Sequence, residues 1–361
     1  MTATIGGAPA EVALLSPAIG TANIGDHFIE MAVRRLLPPQ TVFARFSIRR
    51  ELTADEIAAI NRTRCALICG TNLYQHEWES ALDAATLDRI RVPVIPVGVG
   101  GSSASLSDVA VSRRTADMIR AIHSKCERGS VRDPYSHDVV TAVGVENITL
   151  TGCPVFQWSR NVSLPPVQPL KRSRIVVTAR NWLMHRWPDN VDHPVQIRLL
   201  KRLWSSFPLE QMTFAIHEEL DERLVREIGI PESNVLRSDD PEDYVALYTD
   251  PATVVVAMRL HAGMLAVANG VPAVFVGHDT RTYSFCDMAG LDYVELFSER
   301  AADDCVERVQ NVLDGAVESF DAASASHAEL GEAMQDFLRV NDIPHVRPNS
   351  GKAGDAMLQS R

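Results

Sequence analysis

The chain has 361 residues, 46% hydrophobic, 22% charged and 6% aromatic, the composition of an ordinary globular protein long enough for about two domains. A core of that size needs neither disulfides nor a structural metal to hold it. Thirty-five basic against 46 acidic residues leave a net charge of −11, which excludes a protein that coats nucleic acid through a basic face.

Short apolar runs alternate with amphipathic stretches along the whole chain. Val12 to Ser16 predicts a strand, and Asp26 to Leu37 a helix stopped by Pro38 and Pro39. Thr41 to Phe46 reads as a strand, Thr53 to Ile60 as a helix and Cys65 to Cys69 as a buried strand; Glu77 to Ile90 reads as helical. A strand over Val94 to Val99 opens into Gly100-Gly101-Ser102-Ser103, and a helix over Ser107 to His123 follows with Ser107 as its cap. Ser130–Val131, Tyr135 to Val143 and Ile148–Thr149 close this half.

The segment 161–174, with three prolines and three basic residues, predicts a linker. The alternation then restarts with a strand over Ile175 to Thr178 and continues to a mostly helical stretch from Ser298 to Val340. Strands separated by helices imply parallel sheets joined by right-handed crossovers. The expected architecture is α/β: two doubly wound Rossmann-like domains, 1–165 and 172–340, facing a cleft, with 341–361 as a flexible tail.

The six cysteines are too few for a disulfide scaffold. Cys65 and Cys69 share one face of a strand, but no second Cys or His pair follows at zinc-ligand spacing, so no metal site is expected. Residues 1–10 have no basic segment of the signal-peptide kind, and the longest apolar run, 264–276, is broken by Asn269, Gly270 and Pro272. A cytoplasmic protein with reduced thiols is expected.

The most informative segment runs from Val254 to His278. A buried strand ends at Ala257, and a helix begins beside Arg259 and His261. Unpaired N–H groups and the positive end of the helix dipole favour an anion there. The competing reading is structural: Arg259 pairs with an acidic neighbour and His261 caps the helix.

Met258-Arg-Leu-His261, followed by Ala268-Asn-Gly-Val-Pro272 and Asp279-Thr-Arg281 with Phe285 and Gly290, resembles the C-terminal signature of the polysaccharide pyruvyl transferase family. Asn23-Ile-Gly-Asp26, Ser130-Val-Arg-Asp133 with Ser136, and Val177-Thr-Ala-Arg180 are similar to three earlier elements of that family and occur in its order. The resemblance implies a glycosyltransferase-B-like arrangement. It also implies transfer of the enolpyruvyl-derived group of phosphoenolpyruvate onto two sugar hydroxyls, giving a pyruvate ketal and phosphate. No cofactor is implied beyond that donor substrate. The acceptor would be a glycan or a lipid-linked or nucleotide-linked sugar.

Carried over, the donor-binding residues are Arg180, Arg259 and Leu260, with His261 as general acid. Arg281 stands where the family often has Lys and keeps the charge, so it joins them. Guanidiniums suit a ligand with a carboxylate and a phosphate, and an imidazole suits protonation of the donor's C3. The first half is expected to hold the acceptor through Asn23, Gly25, His27 and His76, with Asp26 accepting from a hydroxyl or acting as a base. The structural alternative has Asn23 and Asp26 closing the turn and capping the helix. Arg132 and Asp133 read as an ion pair at a helix start.

A run of arginines at 34, 35, 45, 49 and 50 suits peripheral contact with an anionic membrane or, alternatively, a solvated face. Trp182 and Trp187 are candidates to stack on a sugar or to pack in the interface. Two other classes compete with the transferase reading. A sugar-nucleotide glycosyltransferase would draw its ribose ligand from Glu242, Asp243 or Asp279; a non-catalytic member would only bind an anion. No pattern assigns an oligomeric state.

Overall fold

The computed structural model describes residues 10–159, 163–167, 171–180, 193–315 and 320–346. Trp182, Trp187 and most of the expected tail lie outside the described residues, as does part of the expected linker. The first half runs β1 (Val12–Ser16), α1 (Ile24–Leu36), β2 (Phe43–Ser47), α2 (Ala54–Ile60), β3 (Cys65–Cys69), α3 (Ala84–Arg89), β4 (Val94–Val97), α4 (Arg113–His123), β5 (Gly129–Val131), α5 (Pro134–Ala142) and β6 (Ile148–Leu150). Its strands pair in the order β2-β1-β3-β4, all parallel, with β5-β6 a parallel pair alongside. The Val99 amide donates to the Ser130 carbonyl at 3.1 Å, so that pair continues the sheet. Every residue of β1 and β3 is buried, which is why both read as unbroken apolar runs.

The second half runs β7 (Arg174–Thr178), α6 (His193–Ser206), β8 (Met212–Ala215), α7 (Glu219–Ile228), β9 (Val235–Leu236), α8 (Pro241–Thr249), β10 (Thr253–Ala257), α9 (Leu260–Ala268), β11 (Ala273–Gly277), α10 (Thr280–Ala289), β12 (Tyr293–Glu295), α11 (Ala301–Leu313) and α12 (Asp321–Val340). Its six strands are parallel in the order β12-β11-β10-β7-β8-β9. The chain thus winds outward from β7 in both directions, which opens a crevice at the carboxyl ends of β7 and β10.

Two helices begin later than expected. Residues 77–83 are not helical: Asp83 caps α3, and the Trp78 indole N–H donates to the Leu82 carbonyl at 2.8 Å, holding a compact turn. Ser112, not Ser107, caps α4, and the Ser112 amide is tied to the His76 carbonyl at 2.8 Å. Amphipathic periodicity ran on through both turns.

The halves share one core. Phe28 of α1 meets His217 and Tyr248 edge-on at 5.9 and 6.0 Å between centroids, and a single apolar cluster continues from Val12 and Phe28 to Val255 and Phe275. Backbone bonds join the halves on two sides: Ile24 N–H to the His217 carbonyl at 3.2 Å, and Thr280 N–H to the Ser103 carbonyl at 3.1 Å. α12 was expected within the second domain but packs back on the first. Its Leu330, Met334 and Phe337 enter the shared cluster, and Asp336 pairs with Arg128 at 3.1 Å.

Each arginine of the run has a partner within the chain. Arg34 lies over Phe43 at 5.6 Å and Arg35 over Trp158 at 4.7 Å. Arg45 pairs with Glu30 at 2.6 Å, Arg49 with Asp26 at 2.5 Å and Arg50 with Glu56 at 2.5 Å. Among the described residues no helix is long and apolar enough to cross a membrane. All six cysteines are free thiols, and burial raises those of Cys65 and Cys153 to about 11.

Candidate active site

The carboxyl ends of strands from both sheets deliver side chains to one cavity of about 520 Å³. Arg49 follows β2, Asn72 follows β3 and Arg132 follows β5; Arg180, Glu218, Arg259 and Arg281 come from the turns after β7, β8, β10 and β11. Two helices of opposite halves also start there. Asn23, Gly25 and Asp26 of the α1 turn and Arg259, Leu260 and His261 of the α9 turn all line it. Five arginines and three carboxylates line the cavity, and two helix N-termini add positive potential, so an anion is the favoured occupant.

Arg180, Arg259 and His261 therefore meet in one basin, as the resemblance implied. Arg259 is held firmly. Its Nη2 donates to Glu218 and, at 2.6 Å, to both oxygens of Asp221; its Nε donates to the Ala179 carbonyl at 3.4 Å. The structural reading of Arg259 is thus realised together with its place on the cavity wall. Asp279 is a second carboxylate hub. Its Oδ2 accepts from Arg281 Nε at 2.8 Å and lies 3.7 Å from Arg180 Nη1 and 3.0 Å from His278 Nε2, while Oδ1 caps α10. Burial and then the neighbouring Arg259 lower the Arg180 pKa to about 10, against the pull of Asp279. Both guanidiniums remain charged at neutral pH.

His261 is half-buried, and its covered Nε2 has no hydrogen-bond partner among the described residues. Burial and then the charges of Arg132, Arg180 and Arg259 push its pKa down to about 3. The imidazole is therefore neutral in the empty site, and it does not start as the acid that residue type alone suggested. Its Nδ1 rests against the α1 turn, where a Cβ on Gly25 would sit 3.1 Å away. Gly25 thus makes room for a side chain of the other half.

Asn23 caps α1, its Oδ1 accepting from the Gly25 amide at 3.1 Å, which is the structural alternative. Asp26 pairs with Arg49; burial raises its pKa, and Arg49 offsets this in part. His27 and His76 do not line the cavity. His27 follows Asp26 by one residue and so turns to another face of α1. His76 has a side chain 68% exposed, and its Nδ1 lies 3.1 Å from the Ala110 carbonyl. Beside Asn23, Gly25 and Asp26, the first-half wall includes Thr71, Asn72, Gln75, Glu79 and Ser80, residues of the turns after β3 that periodicity had assigned in part to a helix. Of the carboxylates named for a ribose, Glu242 and Asp243 start α8 and do not line the cavity, and Asp279 is committed to its arginines.

Among the lining residues not expected from the sequence are Arg132, His217 and Glu218. Arg132 does pair with Asp133, at 2.9 Å, but it also lines the cavity while 2% exposed. Gly100 lets it in, since a Cβ there would sit 2.8 Å from Arg132 Cζ. His217 and Glu218 follow β8 and belong to no motif. All three stand just beyond the carboxyl ends of parallel strands, where such sheets bind ligands.

Fold and site together define an α/β protein of two Rossmann-like halves in the glycosyltransferase-B arrangement, with an anion-favouring cavity between them. A similar solved structure shares that arrangement. UDP-GlcNAc 2-epimerase from Neisseria meningitidis aligns with a TM-score of 0.51 at 11% identity, covering 91% of this chain and 98% of that one. UDP-N-acetylglucosamine 2-epimerase from Rickettsia bellii aligns at 0.49 and 13% identity, covering 92% and 96%. At these identities the likeness is one of fold. A search of curated proteins returned no match. The model of the polysaccharide pyruvyl transferase family matches residues 23–280, and the chain belongs to that family.

Proposed function

We propose that the protein transfers the pyruvyl group of phosphoenolpyruvate to two hydroxyls of a glycan or glycan precursor, forming a ketal and releasing phosphate. The observation that carries this reading is the convergence of Arg180, Arg259 and His261 on one cavity, across the seam between the halves. Phosphoenolpyruvate is small and carries two anionic groups. Arg180 and Arg259 take its carboxylate and phosphate as bidentate ligands, and Arg281 adds charge at the rim. Leu260, at the start of α9, packs against the enol carbons.

The charges that keep His261 neutral in the empty site are those that the donor neutralises. An anion bound among Arg132, Arg180 and Arg259 raises the imidazole pKa, so the acid is armed only when its substrate is present. His261 then protonates C3, and C2 becomes electrophilic. The acceptor lies along Asn72, Gln75, Glu79 and Ser80, whose amide, carboxylate and hydroxyl groups suit sugar hydroxyls. Asp26, tethered by Arg49, accepts from one of them and orients it.

The test is incubation of the protein with phosphoenolpyruvate and a panel of sugar acceptors, following phosphate release and the gain in acceptor mass. Phosphate release that depends on acceptor, with a ketal in the product, is expected. If phosphoenolpyruvate neither raises the melting temperature nor reacts with any acceptor, the reading is wrong.

A further inference from the structure

Arg259 offers one Nη2 group to three carboxylate oxygens, Oε1 of Glu218 and both oxygens of Asp221. Such a group has two N–H bonds, so its acceptors outnumber its hydrogens. The two carboxylates differ in freedom. Asp221 is fully buried and also accepts the His217 amide at 3.3 Å. Glu218 keeps 31% of its side chain exposed, lines the cavity and makes no capping bond to α7, although it is the N-cap residue. Glu218 can leave Arg259 without stranding a charge in the core; Asp221 cannot.

We propose that Glu218 is the resident counter-ion of Arg259 in the empty site, that the anionic donor displaces it, and that the freed carboxylate is the catalytic base for the attacking acceptor hydroxyl. The inference rests on the phosphoenolpyruvate reading above. A carboxylate or phosphate in the cavity competes with Glu218 for the same guanidinium. Displaced, Glu218 stays tethered at the end of β8, in the cavity that also holds the acceptor wall. The base is released by the event that arms the acid.

The step balances. The acceptor O–H bond breaks as its oxygen bonds to C2; the proton passes to Glu218, and C3 takes a proton from His261. In the second half-reaction the second hydroxyl oxygen displaces phosphate from C2. Protonated Glu218 gives its proton to the departing phosphate, and His261 takes the proton of that hydroxyl. Both side chains return to the states they hold with donor bound.

Calorimetric titration with phosphoenolpyruvate and initial rates of phosphate release, on the whole protein, test this. Glu218→Gln removes the competing charge and the base together. Donor binding is expected to tighten by about tenfold or more, while kcat falls by about 10²-fold or more. Glu218→Asp keeps the charge pair but shortens its reach, so kcat falls without tighter donor binding. Loss of a merely structural residue would weaken donor binding instead. A Glu218→Gln protein that binds the donor no tighter than wild type, or keeps kcat within a few-fold, overturns the inference. Wild-type protein that binds no phosphoenolpyruvate overturns the functional reading itself, so the two failures are distinguishable.

Discussion

His261 of the second half lies against Gly25 of the first, close enough that a Cβ on Gly25 would sit 3.1 Å from its Nδ1 and 3.3 Å from Oδ1 of Asn23. Two helix starts remote in sequence thus share one contact, and the imidazole is aimed by the backbone of the opposite half. Gly25→Ala has no backbone penalty in a helix, so any loss reflects crowding of His261 and of the Asn23 cap. Activity is expected to fall by about tenfold to a hundredfold, with a small change in melting temperature. Wild-type kcat/KM in Gly25→Ala would show that the imidazole does not need the space.

Burial and three guanidiniums hold the His261 pKa near about 3. Its ring resonances are expected to stay those of neutral imidazole from pH 5 to 8 in the free protein, and to titrate at higher pH once phosphoenolpyruvate is added. A free-state titration near the ordinary histidine value would contradict the electrostatic account. His261→Ala is expected to abolish turnover while leaving donor affinity largely intact.

Arg180 and Arg259 are expected to separate in mutagenesis. Arg180→Ala should weaken phosphoenolpyruvate binding, measured by calorimetry; unchanged affinity removes Arg180 from the clamp. Arg259→Ala also removes the guanidinium that donates to both oxygens of the fully buried Asp221, which is expected to cost about 3–5 kcal/mol of stability. Chemical denaturation of both variants reads the difference.

Acid stability should depend on His123. Its ring is buried beside Tyr74, Nε2 to Oη 3.0 Å, and burial lowers its pKa to about 4. In the unfolded chain it titrates near the ordinary value of about 6.5, so below that pH the unfolded state binds the extra proton. Its contribution is full above about pH 6.5 and is lost as pH falls towards 4, by roughly 3 kcal/mol at most. Urea denaturation across that window should show a shallower slope for His123→Gln; an unchanged slope means that other groups dominate.

Asp26→Asn, which keeps the shape but not the charge opposite Arg49, is expected to raise the acceptor KM while leaving donor affinity within a few-fold. Steady-state kinetics with each substrate varied in turn distinguishes this from an effect on the donor.

Much of this protein was readable locally. Apolar runs such as Val12–Ser16 and Cys65–Cys69 are strands because only a fully covered strand tolerates such a run, and Thr53, Asp133, Asp240 and Asp279 stop or start helices through hydrogen bonds within a few residues. The placement of Arg259 and His261 at a strand end followed from the same short-range pattern. Tertiary structure alone decided that His27 and His76 stay off the cavity, that Arg132 and Glu218 line it, that α12 folds back on the first half and that the arginine run meets partners of its own. The reason is physical. Periodicity and capping are carried by neighbours in sequence, whereas the burial and charge felt by His261, or by Arg259 between Glu218 and Asp221, sum over groups that become neighbours only when the two halves close.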